Sequence, residues 1–364
     1  MLKQQKIFFD FLRFCIGSAK EIPGSLKEAD WKELYRIAQK QALLGVLFHG
    51  IKRLPKELAP EQKLLMQWMA MAEQIRKQNI KLFQDSMKVC QNFENVGFVN
   101  CILKGQGNAL LYPDPYMRTP GDIDIYLSGG RRKIMKYIDR VCPNQVMRYH
   151  HVDFPVMKTA IEVHFIPSYM FFPVHNRRMQ KWFGKVMDLQ CSNVVTLPDG
   201  YGEITVPTMS FNVIYILSHL YRHVFTEGIG LRQLIDYYFV LVKSEERRVK
   251  NLTALQRELK YLGLWKFAGA VMYVMHVALG LPEERMIRPM DVKRGELLLS
   301  EIMNGGNFGR HYTKYGEFTK QSMGKKYFLK IWRNMHFVRY YPAEALSEPI
   351  FRTWHFFWRK RQKR

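Results

Sequence analysis

The spacing of the apolar residues changes twice along this chain, and that change does most to limit its fold. From Trp31 to about Asn95, apolar residues recur at intervals of three and four, the period of an α-helix. From residue 97 to residue 165, short apolar runs alternate with segments rich in glycine and proline, a pattern typical of strands. Beyond Pro207 the helical period returns. The sequence therefore predicts an α/β (α+β) core with a short mixed sheet, flanked by two helical regions.

The helical regions can be divided further. Pro55 and Pro60 interrupt the N-terminal pattern, so a group of helices is expected there. In the C-terminal region, glycines near the ends of the apolar segments predict where helices stop. Four helices are expected there, over residues 211–224, 231–242, 252–262 and 265–279.

The central region predicts strands joined by turns. A buried strand over 98–103 opens into the glycine-containing turn 104–108, and a second strand over 123–127 leads into a helix over 131–141. A hairpin of two further strands is expected over 146–154 and 158–165. The predicted units are an N-terminal helical region, the core, a C-terminal helical region and a basic aromatic segment, over residues 1–96, 97–207, 208–310 and 311–364.

The charge of the chain indicates anionic partners. The sequence has 56 Lys and Arg residues against 32 Asp and Glu residues, a net charge of +24. A nucleotide, a nucleic acid, an anionic glycan precursor or an acidic membrane surface would be attracted by such a field. The most basic and aromatic part is Lys325 to Arg364. This segment fits peripheral contact with an anionic membrane or a nucleic acid, and equally a terminal helix whose aromatic residues pack on the protein.

Signals for cellular location favour the cytoplasm. Asp10 and Arg13 interrupt the N-terminal apolar residues before the core of a signal peptide develops. The apolar stretch over 267–281 is shorter than the roughly 18 to 20 residues of a membrane span. The five cysteines are scattered and lack metal-site spacing, so reduced thiols are expected.

Two aspartates in the run Gly121-Asp122-Ile123-Asp124-Ile125 are the first candidates for chemistry. Side chains alternate along a strand, so Asp122 and Asp124 are expected on one face while the isoleucines enter the core. Neighbouring carboxylates repel each other unless a cation neutralises them. Mg²⁺ suits this arrangement, because it binds one or two carboxylates together with phosphate oxygens and water.

A third carboxylate is available on a later strand. Glu162 lies between apolar residues in Ala160-Ile161-Glu162-Val163-His164, so it is expected to share a face with His164 and to lie beside the aspartates. Two-metal sites that transfer phosphoryl groups usually need such a further carboxylate. Asp122, Asp124 and Glu162 are therefore the predicted metal ligands.

The chain resembles the uncharacterised bacterial nucleotidyltransferase family of the DNA polymerase β-like superfamily. The specific part of the resemblance lies between residues 103 and 164, and weaker similarity extends over most of the chain. The motifs that carry it are Leu103-Lys104-Gly105, Leu111-Tyr112-Pro113, Arg118, the Asp122 and Asp124 run, and Glu162-Val163-His164.

The resemblance implies a nucleotidyltransferase core and a role for each motif. Asp122 and Asp124 would bind both metal ions, Mg²⁺ or Mn²⁺, and Glu162 would bind the catalytic metal and orient the attacking hydroxyl. The glycine turn has two alternatives, Gly107-Asn108 by its spacing to the aspartates and Lys104-Gly105 by the motif of the narrower family.

Cations near these motifs are expected to meet phosphate groups. Lys104 would act as a point charge, and Arg118 would offer a bidentate fork. His219 and His223 lie four residues apart on one helix, and substrate contact or a core hydrogen bond is favoured for them over zinc. Arg232 and Asp236 have the same spacing and are expected to form a structural pair.

The predicted activity is transfer of a nucleoside monophosphate from an NTP such as ATP to a hydroxyl, with release of pyrophosphate. The acceptor is open among a glycan-related small molecule, an RNA end and a protein side chain. The alternative is a catalytically inactive protein of the same fold that binds RNA or an anionic membrane surface. The departure of the glycine turn from the superfamily pattern favours the alternative, and the three carboxylates favour the enzyme.

Overall fold

Helices make up most of the computed structural model, which describes residues 2–244, 252–311 and 322–362. The described α-helices are α1 (Lys3–Ile16), α2 (Trp31–Lys40), α3 (Leu44–Ile51), α4 (Gln62–Asn95), α5 (Gln106–Ala109), α6 (Gly130–Val141), α7 (Pro173–Gln190), α8 (Met209–Thr226), α9 (Leu231–Lys243), α10 (Leu252–Tyr261), α11 (Trp265–Leu279), α12 (Val292–Gly305), α13 (Met323–Val338) and α14 (Pro342–Gln362). None of them combines the length and the apolar composition that a membrane span requires.

A small mixed sheet lies in the middle of the chain. Its strands are β1 (Asn100–Ile102), β2 (Ile123–Leu127), β3 (His151–Asp153) and β4 (Ile161–His164). They stand in the order β1-β2-β4-β3, with β2 parallel to β4 and the other two pairs antiparallel. The predicted second strand and the predicted hairpin of the last two strands are confirmed. A separate ribbon, formed by β5 (Val194–Thr196) and β6 (Glu203–Thr205), was not predicted.

One face of the sheet builds a hydrophobic core. Ile123, Ile125 and Leu127 of β2 are buried, and they belong to one cluster with Ile134 and Ile138 of α6. The period of two along β2 and the period of four along α6 bring these side chains together. Since the apolar face of β2 is fixed in this core, the alternate residue Asp124 is held on the opposite face.

The helical predictions are confirmed for the C-terminal region, where α8, α9, α10 and α11 match the expected segments within a few residues. Several helices were not predicted individually, among them α1, α7 and α12. The N-terminal apolar residues form α1, whose Phe8 and Leu12 are buried in the large helical core. Helix α7 lies inside the region expected to be the α/β core, and it begins at Pro173, a residue favoured at the first helical position.

The C-terminal segment is helical and packs on the rest of the protein. Helices α13 and α14 run antiparallel, as shown by contacts of Asn334 with Glu348 and of Tyr327 with Thr353. Phe351 of α14 packs edge to face against Tyr149 before the β3–β4 hairpin and stacks on Tyr169 after it. The interpretation as a packed terminal helix is confirmed for this face. The last two basic residues of the segment and residues 312–321 lie outside the described ranges.

Candidate functional site

A cleft of about 920 Å³ brings together residues from the sheet, from α8 and α9, and from the C-terminal helix α14. All but one of the predicted site residues line it, namely Lys104, Gly105, Asn108, Arg118, Asp122, Asp124 and Glu162. His219 and His223 line it as well. The cleft therefore unites motifs that are up to about a hundred residues apart in the sequence.

Asp124 and Glu162 are neighbours because of the strand register. They stand opposite each other in the parallel pair of β2 and β4. Asp124 is only 1% exposed, and its two carboxylate oxygens each have a cationic or imidazole partner. The Lys104 Nζ atom lies 3.0 Å from Oδ2, and the His164 Nε2 atom lies 3.0 Å from Oδ1. Glu162 is half-buried, with its Oε2 atom 3.6 Å from the same His164 nitrogen.

These contacts set the ionisation of the carboxylates. Burial alone would raise the pKa of Asp124, but Lys104 and His164 outweigh it and hold the pKa below its usual value. Burial is likewise outweighed at Glu162, where the His164 hydrogen bond lowers the pKa to about 2. Burial lowers the pKa of His164, whereas hydrogen bonds to Asp124 and Glu162 raise it above its ordinary value. Both carboxylates are therefore ionised at neutral pH.

Asp122 differs from its neighbour. It lines the cleft, but repulsion by Asp124 and then burial raise its pKa, which Lys104 offsets only in part. The expectation that two close carboxylates perturb each other is met at this residue. Asp122 lies one residue before β2, so it is not held by the ladder that fixes Asp124 against Glu162.

Three residues offer a set of ligand atoms for one divalent cation. Atoms of Asp124, Glu162 and His164 lie within 4.8 Å of one another. Carboxylate oxygens suit Mg²⁺ and Mn²⁺, and an imidazole nitrogen adds a ligand that transition metals accept. The donor set therefore fits a divalent ion. Among the described residues, Asp122 belongs to no group of three at this spacing, so its role as a ligand stays a prediction.

The glycine turn is formed by Gly105. Its backbone has a φ of +64°, a region that glycine enters without the steric cost of a Cβ atom, and it lines the cleft beside Lys104. Gly107 lies inside α5 instead, where an added Cβ would come within 2.8 Å of the Val206 side chain. Since Gly107 is absent from the cleft wall, its predicted binding role is not supported. Asn108 is buried at the cleft.

Arg118 and Asp236 form a buried ion pair. The Arg118 Nε and Nη2 atoms donate to the two carboxylate oxygens of Asp236 at 2.8 and 2.7 Å, and the Tyr112 hydroxyl donates to the same carboxylate at 2.7 Å. The predicted pairing of Asp236 with Arg232 is therefore wrong, because the buried Arg118 occupies both oxygens. The fork of Arg118 is engaged, which leaves only its Nη1 atom for the predicted phosphate contact.

A cluster of histidines around Arg222 forms another part of the cleft wall. The Arg222 guanidinium contacts His150 at 2.9 Å and both His219 and His223 at 3.3 Å. His219 also lies 3.3 Å from the Lys104 ammonium. The hydrogen-bonding role predicted for His219 and His223 is confirmed, and neither belongs to a metal-ligating group among the described residues.

Sequence reasoning missed several members of this wall. His150 and His151 lie just before and within β3, and Arg222 lies on α8, so the fold joins segments about 70 residues apart. The dipeptide of two histidines beside a predicted strand was the one available signal. Its partner on α8 lies between His219 and His223, but no local pattern connects the two segments.

Comparison with known proteins identifies one family. A family model described as an uncharacterised nucleotidyltransferase matches residues 27–280. No curated protein and no solved structure matches the chain. The matched region contains the sheet, the Asp124 and Glu162 pair, and helices α8 and α9.

Proposed function

The chain belongs to the uncharacterised nucleotidyltransferase family, and from this premise we propose that it transfers a nucleoside monophosphate from an NTP to a hydroxyl with the help of Mg²⁺ or Mn²⁺. Pyrophosphate would leave. The single observation that carries the proposal is the alignment of Asp124 with Glu162 across two parallel strands. Two ionised carboxylates on adjacent strands, in a cleft that also contains cationic side chains, form a site that suits a metal-nucleotide complex.

Each residue of the site has a distinct part in this proposal. A bound divalent cation supplies charge neutralisation for the phosphates and activation of an attacking hydroxyl. Asp124 and Glu162 would hold that cation together with His164, and Asp122 would add a carboxylate from the segment before β2. Glu162, the less buried of the pair, would also accept a hydrogen bond from the acceptor hydroxyl.

The surroundings of the carboxylates would favour an anionic substrate. Lys104 already neutralises Asp124, and its ammonium is a point charge that suits a phosphate oxygen. Gly105 places backbone at the cleft without a side chain in the way. Burial first and the Arg222 charge second lower the pKa of His150 far below its ordinary value, so this imidazole is neutral. The positive charge of the neighbouring Arg222 guanidinium would therefore add to the attraction of the cleft for an anion.

One observation favours the alternative of an inactive binding protein. Lys104 and His164 each lie 3.0 Å from one carboxylate oxygen of Asp124, so the protein itself supplies partners for this charge. A site that is already neutralised could be kept for structural reasons, with the positive surface used to bind RNA or an anionic membrane. The two functions differ in whether a metal ion changes nucleotide binding.

Isothermal titration of the full chain with ATP would test the enzyme. We expect Mn²⁺ or Mg²⁺ to tighten ATP binding at least tenfold, and Asp124→Asn together with Asp122→Asn to abolish this effect of the metal. Asp139→Asn, an exposed aspartate on α6, is the matched control and should leave it intact. An affinity for ATP that changes neither with the metal nor with the substitutions would refute the proposed enzymatic function and favour the inactive binding protein.

The acceptor needs a separate experiment. Incubating the protein with each of four labelled NTPs and a cell extract should transfer label to one class of molecule, whether a glycan precursor, an RNA end or a protein. The Asp122→Asn and Asp124→Asn variant serves as the blank, because transferred label that survives in it comes from another enzyme.

A further inference from the structure

The cations at the cleft differ in whether the protein itself neutralises them. Asp236 engages Arg118 through two hydrogen bonds, and Asp124 pairs with Lys104. Arg232 also lines the cleft, from the first turn of α9, but it forms no hydrogen bond or ion pair with any residue of the described ranges. Its Nε atom is buried without a partner. Within the described ranges, Arg232 therefore has no direct anionic partner, although the charges of Asp236 and Asp122 act on it from a distance.

The position of this guanidinium explains the glycine that opens the aspartate motif. A Cβ atom on Gly121 would lie 3.3 Å from the Arg232 Nη2 atom, so the guanidinium rests directly against the backbone before Asp122. Burial and then the nearby Arg118 charge lower the pKa of Arg232. An arginine nevertheless stays protonated in proteins, so the positive charge persists, and no carboxylate of the described residues contacts it directly.

We infer that Arg232 binds the phosphate groups of the nucleoside triphosphate, the role predicted for Arg118 in the sequence analysis. The inference rests on the proposed function. Arg232 is half-buried, and a guanidinium taken partly out of water without a contacting anion is costly, while its two-pronged geometry matches phosphate oxygens. The lack of a Cβ at Gly121 gives this anion site access next to the metal-binding carboxylates.

Titration calorimetry with ATP and with inorganic triphosphate, both in Mn²⁺, tests the inference on the full chain. Arg232→Gln should weaken the binding of both ligands at least tenfold, because it removes the positive charge that contacts the phosphate groups of both. Arg148→Gln is the control, since that arginine lines the same cleft but is 45% exposed and paired with Asp153, and it should change binding less than threefold. A loss for ATP without a loss for triphosphate would overturn the phosphate assignment.

Two further variants cover the case in which Arg232→Gln does not fold. Arg232→Lys keeps the charge but loses the fork, and Gly121→Ala displaces the guanidinium without removing it, so both should weaken ATP binding severalfold. ATP binding equal to wild type in these variants would refute the role of Arg232 and leave the proposed function standing. Wild-type protein that binds no ATP with any divalent metal would refute the proposed function, and the inference with it.

A second, independent observation concerns the outer faces of α13 and α14. Each helix carries a stripe of large apolar residues at helical spacing, with about half or more of each side chain exposed. These side chains are 48–73% exposed, and they are Phe328, Trp332, Met335, Leu346, Ile350, Trp354 and Phe357. Lys325, Lys360 and Arg361 are exposed on the same two helices, and Arg339 is exposed directly after α13.

We propose that this face docks on an anionic lipid membrane. Apolar side chains bordered by lysine and arginine suit the interface between acyl chains and acidic headgroups. Met335, Leu346 and Ile350 offer no ring for stacking on bases, which argues against a nucleic acid. A second copy of the chain would bring two positive faces together, which argues against a dimer.

Flotation with vesicles tests this docking. The full chain should float with vesicles of phosphatidylglycerol and phosphatidylcholine and not with pure phosphatidylcholine. Ile350→Glu with Trp332→Glu should reduce the bound fraction at least tenfold, whereas Leu189→Glu, the same kind of change at an exposed residue of α7, should not. Three results would overturn the proposal. The first is a wild-type protein that fails to float with anionic vesicles in this assay, and the second is RNA binding that the Ile350→Glu and Trp332→Glu changes abolish. The third is sedimentation as a dimer that these changes dissociate.

Discussion

The buried pair of Arg118 and Asp236 gives the sharpest prediction on stability. Asp236→Asn keeps the size of the side chain but removes its charge, and it turns one acceptor oxygen into an amide that faces the Arg118 guanidinium. Asp236 is 6% exposed and accepts three hydrogen bonds, two from Arg118 and one from Tyr112. The change leaves an uncompensated buried charge, a defect that costs about 3–5 kcal/mol.

Urea denaturation of wild type and variant at pH 7 measures this loss in the free energy of unfolding. Asp153→Asn is the matched control, because Asp153 pairs with Arg148 at 3.2 Å while about half-exposed, and such surface pairs contribute roughly 0–1 kcal/mol. Adding Arg118→Met to Asp236→Asn should cost less than the sum of the two single changes. A loss below about 1 kcal/mol for Asp236→Asn would refute the view that this pair organises the cleft.

The same pair predicts a dependence on pH. Burial alone would raise the pKa of Asp236, but the Arg118 charge and hydrogen bonds hold it below its usual value. An acid whose pKa is lower in the folded state stabilises the fold above the unfolded pKa of about 3.9, and the stabilisation is lost as the pH falls through the folded pKa. The difference in stability between wild type and Asp236→Asn should therefore shrink in acid.

Three further predictions concern other positions. Gly105→Ala should destabilise the protein by about 1–3 kcal/mol because of its positive φ, whereas Gly184→Ala, in open space on α7, should stabilise it by about 0.5–1 kcal/mol; equal effects in urea would contradict this. Glu344→Gln should cost about 1–3 kcal/mol, measured by thermal unfolding, because the buried carboxylate accepts hydrogen bonds from two backbone amides that precede α7. Burial and then Lys104 hold the pKa of His219 well below its usual value, so the unfolded state binds a proton at this residue below about pH 6.5 and the folded state does not. The free energy of unfolding should therefore fall in acid, and His219→Gln should remove a slope of roughly 1.4 kcal/mol per pH unit from that fall. An unchanged slope in the variant would refute this prediction.

Local patterns predicted the elements better than the partners. The strand 123–127 and the helix 231–242 follow from apolar spacing, which the chain encodes within a few residues. Pairing of Asp124 with Glu162 was also expected, because the carboxylates alternate with core residues on both strands. The charge pairs were not predictable in this way. Arg118 reaches Asp236 across 118 residues, and only the packing of the loop before β2 against α9 brings them together.

The glycines show why such partners escape sequence reasoning. Gly105 and Gly107 look alike in the turn, yet one has a positive φ at the cleft and the other makes room for Val206. Gly121 looks like a turn residue, and its role depends on a guanidinium from α9. A glycine in the sequence can indicate that space for a side chain is missing, but it does not indicate which neighbouring atoms occupy that space. The occupant of that space becomes visible only when distant helices are in place.

The extent of the family match divides the cleft into two parts. The carboxylates proposed to bind a metal ion, together with Lys104 and Arg232, lie within residues 27–280, the region that the family model matches. Other parts of the wall come from beyond it, among them Arg310 after α12 and Arg359 on α14. The proposed chemistry on the triphosphate would need only the shared part, because the phosphates are common to every nucleotide substrate. The wall contributed by the C-terminal helices is then the part of the cleft available to select the acceptor, and the helix that supplies Arg359 also carries the apolar face proposed to meet the membrane.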